Sequence, residues 1–317
     1  MTEPFPHLRL NQGDASEARI YYAAHLVAAR LGLFEDEKVS VAFTRTESGG
    51  HSIRGGQVPA LLDGSADLAI GGPMVAMRMQ EDGEARVVSF GAAAGANPWV
   101  LIGRLPEPRF TFPNLAGCRI LDMAGIGTAT FAFRRVLAEA GLRDDGYTLL
   151  ETSGSLDGDL ARLERRDCDY AFHSLHALCE AIAVARVAMV ADLAPATRPV
   201  PWSAYMARPE AISADRGAFA AFTRAIARAQ AWIVTQEAAT VADLIRPDFP
   251  DITVHALATA IGLYQRNGVF APAPFIARAD YERFGALLVD AGWLSRPPSY
   301  AALVDTDLAQ AALERLP

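Results

Sequence analysis

The hydrophobic pattern near the N-terminus alternates between short apolar runs and longer helical ones. HLRLNQ predicts a strand, and the following GDAS could cap a helix through Asp14 or Ser16. The helical run EARIYYAAHLVAARLGLF ends near Gly32, and the strand VSVAFTR, the helix QVPALLDG and the strand DLAI follow it. This order of strand, glycine loop, helix and strand predicts a mostly parallel α/β sheet.

Much of this order recurs in the middle of the chain. CRILDMAGIGTATFAFRRVLAEAGL repeats the strand, glycine loop and helix, and YTLLETSGS corresponds to VAFTRTESGG. DLARLERRDCDYAFHS corresponds to VPALLDGSADLAIGG, with Asp169 in the place of Asp67. Few residues are identical, so it is the repeated order of elements that predicts two similarly built lobes.

The last third of the chain departs from the repeat. PVPWSAYMARPEAI predicts a return strand, and the helices after it would pad the first lobe. Pro98, Pro199 and Pro201 mark the two places where the chain would cross between lobes, and these crossings are candidate hinges. The predicted bounds are 1–98 with 201–317 for the first lobe, 99–200 for the second, and 97–103 and 197–205 for the crossings.

Composition narrows the classes of function. The chain has 317 residues, of which 51% are hydrophobic and 21% charged, enough for one large domain or two ordinary ones. Its net charge of -8 disfavours a nucleic-acid partner but leaves a small anionic ligand open. Lys38, the only lysine, lies in the polar run FEDEKVSV and is a poor candidate for Schiff-base chemistry. No apolar run approaches the length of a transmembrane helix, so we expect no membrane insertion.

The N-terminus and the cysteines bear on the compartment. MTEPFPHLRLNQGD has neither a basic nor an apolar signal region, so no secretory signal is predicted. Two locations stay open: the cytoplasm if Met1 is the native start, and the periplasm or exterior if a leader has been removed. Cys118, Cys168 and Cys179 have no metal-binding or CxxC spacing, and we expect them to be buried without disulfides.

The loops after the predicted strands carry the candidate chemistry, because open α/β sheets bind ligands at those ends. In AGIGTATF, Gly127 allows close approach of the backbone, and Thr128 or Thr130 can cap the helix and donate a hydroxyl. Free N–H groups at that helix start could bind a carboxylate, sulfonate or phosphate. A capped helix without a ligand is the alternative, because Gly-x-Gly alone is a weak signal.

Two loops of the first lobe add polar groups and bare backbone. ESGGHSIRGG offers Ser48, His51 and Arg54, and the arginine could pair with an anionic group or remain solvated. The strand DLAI ends in two glycines, which would expose backbone N–H groups and let Gly72, Pro73 or Met74 line the cleft.

Aromatic and histidine side chains have both functional and structural interpretations. Either Tyr21 or its neighbour Tyr22 would face the cleft. Trp99, which follows Asn97, and Trp202 could each stack on a planar ligand or pack in the core. The spacing of His173 and His176 could present two nitrogens on one helical face, but no third metal ligand is evident.

Three stretches together resemble a known family: YYAAHLVAARLGLFEDEKVSVAF, LLDGSADLAIGG and NLAGCRILDMAGIGTATFAFRRVLAEAGL. Their order is similar to that in substrate-binding proteins of the type II periplasmic-binding-protein fold, in the nitrate, sulfonate, taurine and thiamine-pyrimidine-precursor group. The resemblance implies an α/β fold of two lobes with a ligand cleft between them. It further implies a monomer that delivers a small organic, anionic ligand to an ABC permease, without a cofactor or metal.

The same fold includes cytoplasmic enzymes, which keep a second function open. An aromatic sulfinate desulfinase uses a cysteine in the first loop, where this chain has Asn11, Gln12 and Asp14 around Gly13. The cysteine-rich motif of pyrimidine-precursor synthases and a Gly-x-Ser-x-Gly elbow are also absent.

No catalytic set stands out among the residues. Asp157 and Asp159 lie in a polar turn, where we expect solvated side chains rather than an acid–base pair. In an enzyme, including one of the decarboxylase type, His51, His173 or His176 would act as general acid or base.

The predicted ligand-binding residues come from loops of both lobes. They are Asn11, Gln12, Asp14, Tyr21, Ser48, His51, Arg54, Gly72, Pro73, Met74, Asn97, Trp99, Gly127, Thr128, Thr130, His173, Ser174 and Trp202.

Overall fold

A computed structural model describes residues 5–14, 19–46, 57–84, 86–123, 125 and 127–315, without the side chains of Asp14 and Thr46. The strands are β1 His7–Asp14, β2 Ser40–Thr46, β3 Leu68–Gly71, β4 Val88–Ala94, β5 Trp99–Gly103, β6 Arg119–Asp122, β7 Thr148–Glu151, β8 Tyr170–Ser174, β9 Ala188–Asp192 and β10 Ser203–Ala207. The helices are α1 Ala23–Arg30, α2 Leu33–Asp36, α3 Gln57–Leu62, α4 Met74–Glu81, α5 Gly127–Glu139, α6 Leu156–Glu164, α7 Leu175–Ala183, α8 Ala194–Thr197, α9 Pro209–Ala214, α10 Arg216–Thr235, α11 Ala238–Ile245, α12 Val254–Arg266, α13 Arg278–Asp290, α14 Tyr300–Leu303 and α15 Asp307–Leu313. Short 3-10 turns cover Ile20–Tyr22, Phe112–Leu115 and Arg246–Asp248.

The strands form two five-stranded sheets with the same topology. The first sheet has the order β2-β1-β3-β10-β4, and the second has the order β7-β6-β8-β5-β9. In the first sheet β10 runs antiparallel to β3 and β4, and in the second β5 runs antiparallel to β8 and β9. Each antiparallel strand is therefore the first one that the chain adds after leaving the other sheet.

The burial of the central strands explains why they lack a polar face. Every residue of β3, β4, β5 and β10 is buried. Helices that cover both faces of a sheet produce this pattern, because neither face is left to water. The predicted fold class is confirmed: a mixed α/β chain built as two similar sheets flanked by helices.

One reciprocal interaction occurs at the same place in both sheets. In the first sheet, Asp67 accepts hydrogen bonds from the backbone N–H of Arg9 at 2.8 Å and from its guanidinium at 2.8 and 3.0 Å. The backbone N–H of Asp67 in turn donates to the carbonyl of Arg9 at 3.0 Å. Asp169 and Arg119 repeat the arrangement, with the backbone bonds at 2.8 Å in both directions. The repeat that the sequence predicted therefore includes the pairing of the strands and the side chains that hold it.

The first helix differs from its prediction. The first α-helix begins at Ala23, after the 3-10 turn in which the N–H of Tyr22 bonds the carbonyl of Arg19 at 2.9 Å. The backbone of Arg19 is extended, so a continuous helix cannot run through it from Glu17. Asp14 belongs to β1 rather than to a helix cap, and Ser16 lies outside the described residues.

The C-terminal helices also differ from their prediction, because they do more than pad the first sheet. α12 packs against α7, and α13 packs against α5. The helices α5 and α7 each follow a strand of the second sheet. The hydroxyl of Tyr264 in α12 donates to the carbonyl of Pro98 at 3.2 Å, and Asn267 donates to Asp192 at the end of β9. The tail therefore contacts both halves of the molecule.

We expect Asp67→Asn to lower the free energy of unfolding at pH 7 by about 1–3 kcal/mol, because Arg9 loses a charged hydrogen-bond partner. Asp169→Asn is the matched control, and its loss should be smaller because the carboxylate is 36% exposed against 27% for Asp67. Urea unfolding of both variants measures the difference. Equal losses would show that burial does not set the strength of this pair.

The effect of Asp67→Asn should depend on pH. Burial alone would raise the pKa of Asp67, but the hydrogen bonds from Arg9 outweigh it and lower that pKa. The stabilisation is therefore complete above pH about 4, the ordinary value for an unfolded aspartate, and is lost as the pH falls through the lower folded pKa. The difference in the free energy of unfolding between wild type and variant should be smaller at pH 3.5 than at pH 7.

Candidate functional site

The carboxyl ends of the parallel strands define one edge of each sheet. β1 and β3 are paired at Asn11 and Ala69, and β6 and β8 are paired at Asp122 and Phe172. The segments that leave these strands therefore start side by side in each sheet. Open α/β sheets bind ligands at this edge.

Contacts between the two edges show that they face each other across a cleft. The hydroxyl of Thr128 in α5 donates to the sulfur of Met74 in α4. The ring of Tyr21 lies 5.4 Å from the ring of His176, measured between centroids. Met74 and Tyr21 follow strands of the first sheet, whereas Thr128 and His176 follow strands of the second. The cleft therefore has one wall from each sheet.

The first wall begins with the end of β1. Asn11 is buried, and its side-chain oxygen accepts a hydrogen bond from the N–H of Gly13 at 2.8 Å. Gly13 has φ of 94°, and a Cβ there would lie 2.4 Å from the side-chain nitrogen of Gln57. The left-handed backbone favours glycine at this turn, and a Cβ there would require the flexible end of Gln57 to shift.

The end of β3 is covered more than the two glycines suggested. Gly71 is buried beneath the side chains of Gln57 and Met206, so the expectation of bare backbone is wrong there. Gly72 is half-buried, and a Cβ on it would make ordinary contact with Met74 and the carbonyl of Trp202. The neighbouring residues of this wall are therefore packed against the return strand.

A buried histidine supports the first wall, and the sequence reading did not single it out. His25 is wholly buried in α1, with Nε2 3.0 Å from the side-chain oxygen of Gln12 and Nδ1 3.4 Å from the hydroxyl of Tyr205. Burial, together with the charge of Arg45, lowers its pKa to about 3. The imidazole is therefore neutral and positions Gln12. Its signal in the sequence was one polar residue within the apolar helix run YYAAHLVAA.

The two tyrosines before α1 have different neighbours. Tyr21 and Tyr22 are both buried, and their rings meet edge to face with centroids 4.8 Å apart. Tyr22 accepts a hydrogen bond from Ser203 at 3.2 Å, whereas Tyr21 packs towards His176. Tyr21 is therefore the one that reaches the second wall.

The second wall is built on a stacked pair of rings. Trp99 of β5 is buried and lies parallel to His173 of β8, with ring centroids 5.1 Å apart and an interplanar angle of 8°. These two strands are antiparallel neighbours, which brings their side chains together. The face of Trp99 that touches His173 is therefore taken by the protein itself.

Ser174 lies between two histidines at the start of α7. Its hydroxyl oxygen is 2.9 Å from Nδ1 of His173 and 3.4 Å from Nε2 of His176. Burial, followed by the charges of His173 and Arg19, holds the pKa of His176 well below its ordinary value. The proposed arrangement of both histidines on one helical face is wrong, because His173 belongs to the strand β8 and His176 to the helix α7.

A carboxylate occupies the glycine loop for which an anionic ligand was expected. Asp122 is buried at the end of β6, where it accepts a hydrogen bond from the N–H of Gly125 at 2.9 Å and one from Thr130 at 2.5 Å. Two donors of this segment, the N–H of Gly125 and the hydroxyl of Thr130, are therefore engaged by the chain's own carboxylate. The sequence signal was the acidic residue that ends the strand CRILD, directly before the glycine loop.

The predicted residues fall into three groups. Ser48, His51 and Arg54 lie outside the described residues, as does the side chain of Asp14. Pro73, Asn97 and Trp202 are buried beside the cleft walls, and Gly127 begins α5. The other predicted positions take part in the contacts described above.

The cysteines do not provide a reactive thiol. Burial raises the pKa of Cys168 to about 11 and that of Cys179 to about 12. Cys118 precedes β6, at the strand end away from the cleft, and burial raises the pKa of its thiol as well. All three are free, and a nucleophilic thiolate would need a lowered pKa.

Among the described residues, no group of three or more histidine, cysteine, aspartate or glutamate side chains could hold a metal ion.

One carboxylate differs from its sequence interpretation. Asp159, which was expected to be solvated in a polar turn, is wholly buried and accepts hydrogen bonds from Thr152 at 2.5 Å and from the N–H of Ser153 at 2.8 Å. None of the helices in the described ranges is long and apolar enough to cross a membrane.

Two similar sheets, each completed by one antiparallel strand and joined across a cleft, define the type II periplasmic-binding-protein fold. The predicted fold is thereby confirmed. No family model matches the chain.

Three known proteins are similar to this chain at low sequence identity. YtlA of Bacillus subtilis (strain 168), described as a candidate binding protein, is 22% identical over 302 residues, which cover 92% of this chain and 86% of YtlA. The periplasmic aliphatic sulphonate-binding protein SsuA of Escherichia coli is 16% identical with a TM-score of 0.68, over 95% of this chain and 92% of SsuA. A mutant of the desulfurization enzyme DszB in complex with biphenyl-2-sulfinic acid is 16% identical with a TM-score of 0.70, over 98% of this chain and 99% of DszB. Binding proteins and an enzyme therefore share this architecture.

The neutral state of His25 leads to a prediction about pH. Burial disfavours protonation of His25 in the folded protein, whereas a histidine in the unfolded chain titrates at about 6.5. The contribution of neutral His25 to stability is therefore complete above that value and is lost as the pH drops towards the folded pKa. Protonation of His25 alone should lower the free energy of unfolding by about 2 kcal/mol between pH 7 and pH 5. His25→Gln should reduce the pH dependence measured by urea unfolding, whereas His255→Gln, at an exposed position of α12, should leave it unchanged. Identical slopes in all three proteins would refute this account.

Proposed function

We propose that the protein is the substrate-binding component of an ABC-type importer, which captures a small organic ligand between its two lobes. The observation that carries this proposal is the pair of facing sheet edges, joined by Thr128 with Met74 and by Tyr21 with His176. Binding proteins such as SsuA share the architecture, which supports the same function here. A permease would recognise the closed form, and the protein would act as a monomer.

The two proposed lobes have the bounds that were predicted from the sequence. The first comprises residues 1–98 and 201–317, and the second comprises residues 99–200. Arg198, in the second crossing, has φ of 61°, a conformation that a non-glycine residue rarely adopts and that often marks a moving segment. The ligand would stabilise the closed arrangement about the two crossings.

The chemistry of the walls favours a planar organic ligand. Tyr21 and His176 provide aromatic surface where the two walls meet, and the buried Trp99 supports the second wall by stacking on His173. Asp122 engages the N–H of Gly125 and the hydroxyl of Thr130, which disfavours an anionic group at these two donors. A charged part of the ligand would therefore have to bind elsewhere.

An enzyme of the DszB type is the second candidate, because a structure of DszB with a bound sulfinate shares the fold. The raised pKa values of Cys168 and Cys179 count against a mechanism that uses their thiols. Incubation with biphenyl-2-sulfinic acid and mass spectrometry of the products tests it directly. Full recovery of the unchanged compound would eliminate that substrate.

Capture by lobe closure predicts that a ligand raises the melting temperature and makes the protein more compact. A panel of small sulfonates, carboxylates, amides and planar heterocycles should contain compounds that stabilise the protein in thermal-shift assays. Small-angle scattering should show a lower radius of gyration with the same compounds. If no compound changes either quantity, the binding function is contradicted.

The location of the ligand is tested by Trp99→Leu. We expect this change to weaken binding of any such compound by about tenfold or more, because His173 of the second wall loses the ring on which it stacks. Trp232→Leu is the control, since Trp232 lies in α10, and its variant should bind as the wild type does. Calorimetric titration measures both affinities. Equal affinity of the Trp99 variant and wild type would place the ligand elsewhere.

A further inference from the structure

Two side-chain donors lie next to each other where β1 ends. A Cβ built on Gly13 would lie 2.4 Å from Nε2 of Gln57 and 3.3 Å from Nη1 of Arg19. Both nitrogens are therefore close to one point, although the two residues come from different segments of the chain. Arg19 precedes the 3-10 turn before α1, and Gln57 is the first residue of α3. Both residues are half-buried, so solvent still reaches them.

Arg19 lies at the cleft, as two of its neighbours show. The carbon Cζ of its guanidinium lies over the ring of Tyr22, 5.6 Å from the centroid. Burial has the largest part in lowering the pKa of His176, and the positive charge of Arg19 contributes as well. Because His176 belongs to α7 in the second wall, the charge of Arg19 acts across the cleft.

The chemistry of this pair favours an anion. A guanidinium has several N–H donors, so a ligand oxygen can bind Arg19 beside any partner that the chain supplies. Hydrogen bonds from a guanidinium to an anionic oxygen span about 2.7–2.9 Å. Two nitrogens that lie within 3.3 Å of the same point can therefore both reach the oxygens of one carboxylate or sulfonate. The amide nitrogen of Gln57 adds an uncharged donor to the charged one.

We propose that Arg19 and Gln57 bind the anionic group of the ligand, a carboxylate or a sulfonate, at the end of β1. This inference rests on the proposed binding function and specifies where the charge of the ligand lies. It also gives the ligand an orientation. The anionic end lies on the first wall, and the uncharged part extends towards Tyr21 and His176, where the two walls meet.

The electrostatics of the second wall support this placement. At the end of β6 the carboxylate of Asp122 accepts hydrogen bonds from the N–H of Gly125 and the hydroxyl of Thr130. An anion bound there would approach a negative charge of the chain, whereas an anion beside Arg19 approaches a positive one. The first wall is therefore the more favourable place for the charged end.

Pairs of probes with similar shape and different charge test the proposal on the wild-type protein. Benzenesulfonate and benzenesulfonamide form one pair, and benzoate and benzamide form the other. In at least one pair we expect the anion to bind about tenfold more tightly in calorimetric titration at low ionic strength, because its hydrogen bond to Arg19 is charge-assisted. Equal affinities within both pairs, or no binding of either anion, would overturn the proposal.

Variants of Arg19 connect that preference to its charge. Arg19→Met keeps an apolar side chain of similar length over Tyr22, so uncharged probes should bind as before while the preference for the anion disappears. Arg19→Lys keeps the charge and should retain part of the preference. A merely structural role of Arg19 would weaken both members of a pair alike. If Arg19→Met keeps the full preference, Arg19 does not contact the anion.

Two further variants complete the set. Gln57→Leu should weaken binding of the anion by about threefold or more, because one donor is lost. Arg143→Met removes the same charge from an exposed position beyond the end of α5 and should leave the preference unchanged. Melting temperatures establish that each variant is folded. An equal loss of preference in Arg143→Met would show that the net charge of the protein, rather than the site, selects the anion.

A crystal structure with benzenesulfonate separates this inference from the proposed function. We expect sulfonate oxygens on Nη1 of Arg19 and Nε2 of Gln57. A sulfonate bound at the start of α5 instead would overturn the inference and leave the binding function intact. Uncharged solutes that stabilise and compact the protein, when no anion does, would have the same meaning. If no solute of the wider panel stabilises or compacts the protein, the binding function itself fails.

Discussion

The pairing of β1 with β3, and of β6 with β8, positions the segments that carry the site. In both sheets a parallel pair is held by backbone bonds between an arginine and an aspartate in both directions, and by the guanidinium of the arginine on the carboxylate. Because this interaction lies at the start of β3 and β8, the strands end together at the opposite edge. Asn11 and Gly72 therefore lie at this edge of the first sheet, and Asp122 and His173 lie at the corresponding edge of the second sheet.

The electrostatics of the second wall are set by what the chain has already placed there. Asp122 accepts from the loop before α5, and His176 is held neutral by its surroundings. A carboxylate beside the start of a helix weakens the attraction of that end for a second anion. The charge of this wall is therefore already partly balanced within the chain.

The sequence predicted the fold better than the site, for a physical reason. The order of short apolar runs, glycine turns and helical runs is a local signal, and it sufficed to predict the two lobes, the repeat and the return strand β10. The role of a loop side chain depends on neighbours distant in sequence. Thr130 was predicted to face a ligand but bonds Asp122, and His25 escaped notice because Gln12 and Tyr205 reach it only in the folded chain.

One carbonyl joins the site, the crossing and the C-terminal tail. The oxygen of Pro98 accepts from the N–H of Leu175, which begins α7, and from the hydroxyl of Tyr264 in α12. A carbonyl oxygen has two lone pairs, and the donors from α7 and α12 together use both of them. The ring of Tyr264 also lies 6.3 Å from that of Tyr21, between centroids. Any displacement of this segment would therefore have to break the bonds of the Pro98 carbonyl to α7 and α12 or move both helices with it, beside Tyr21.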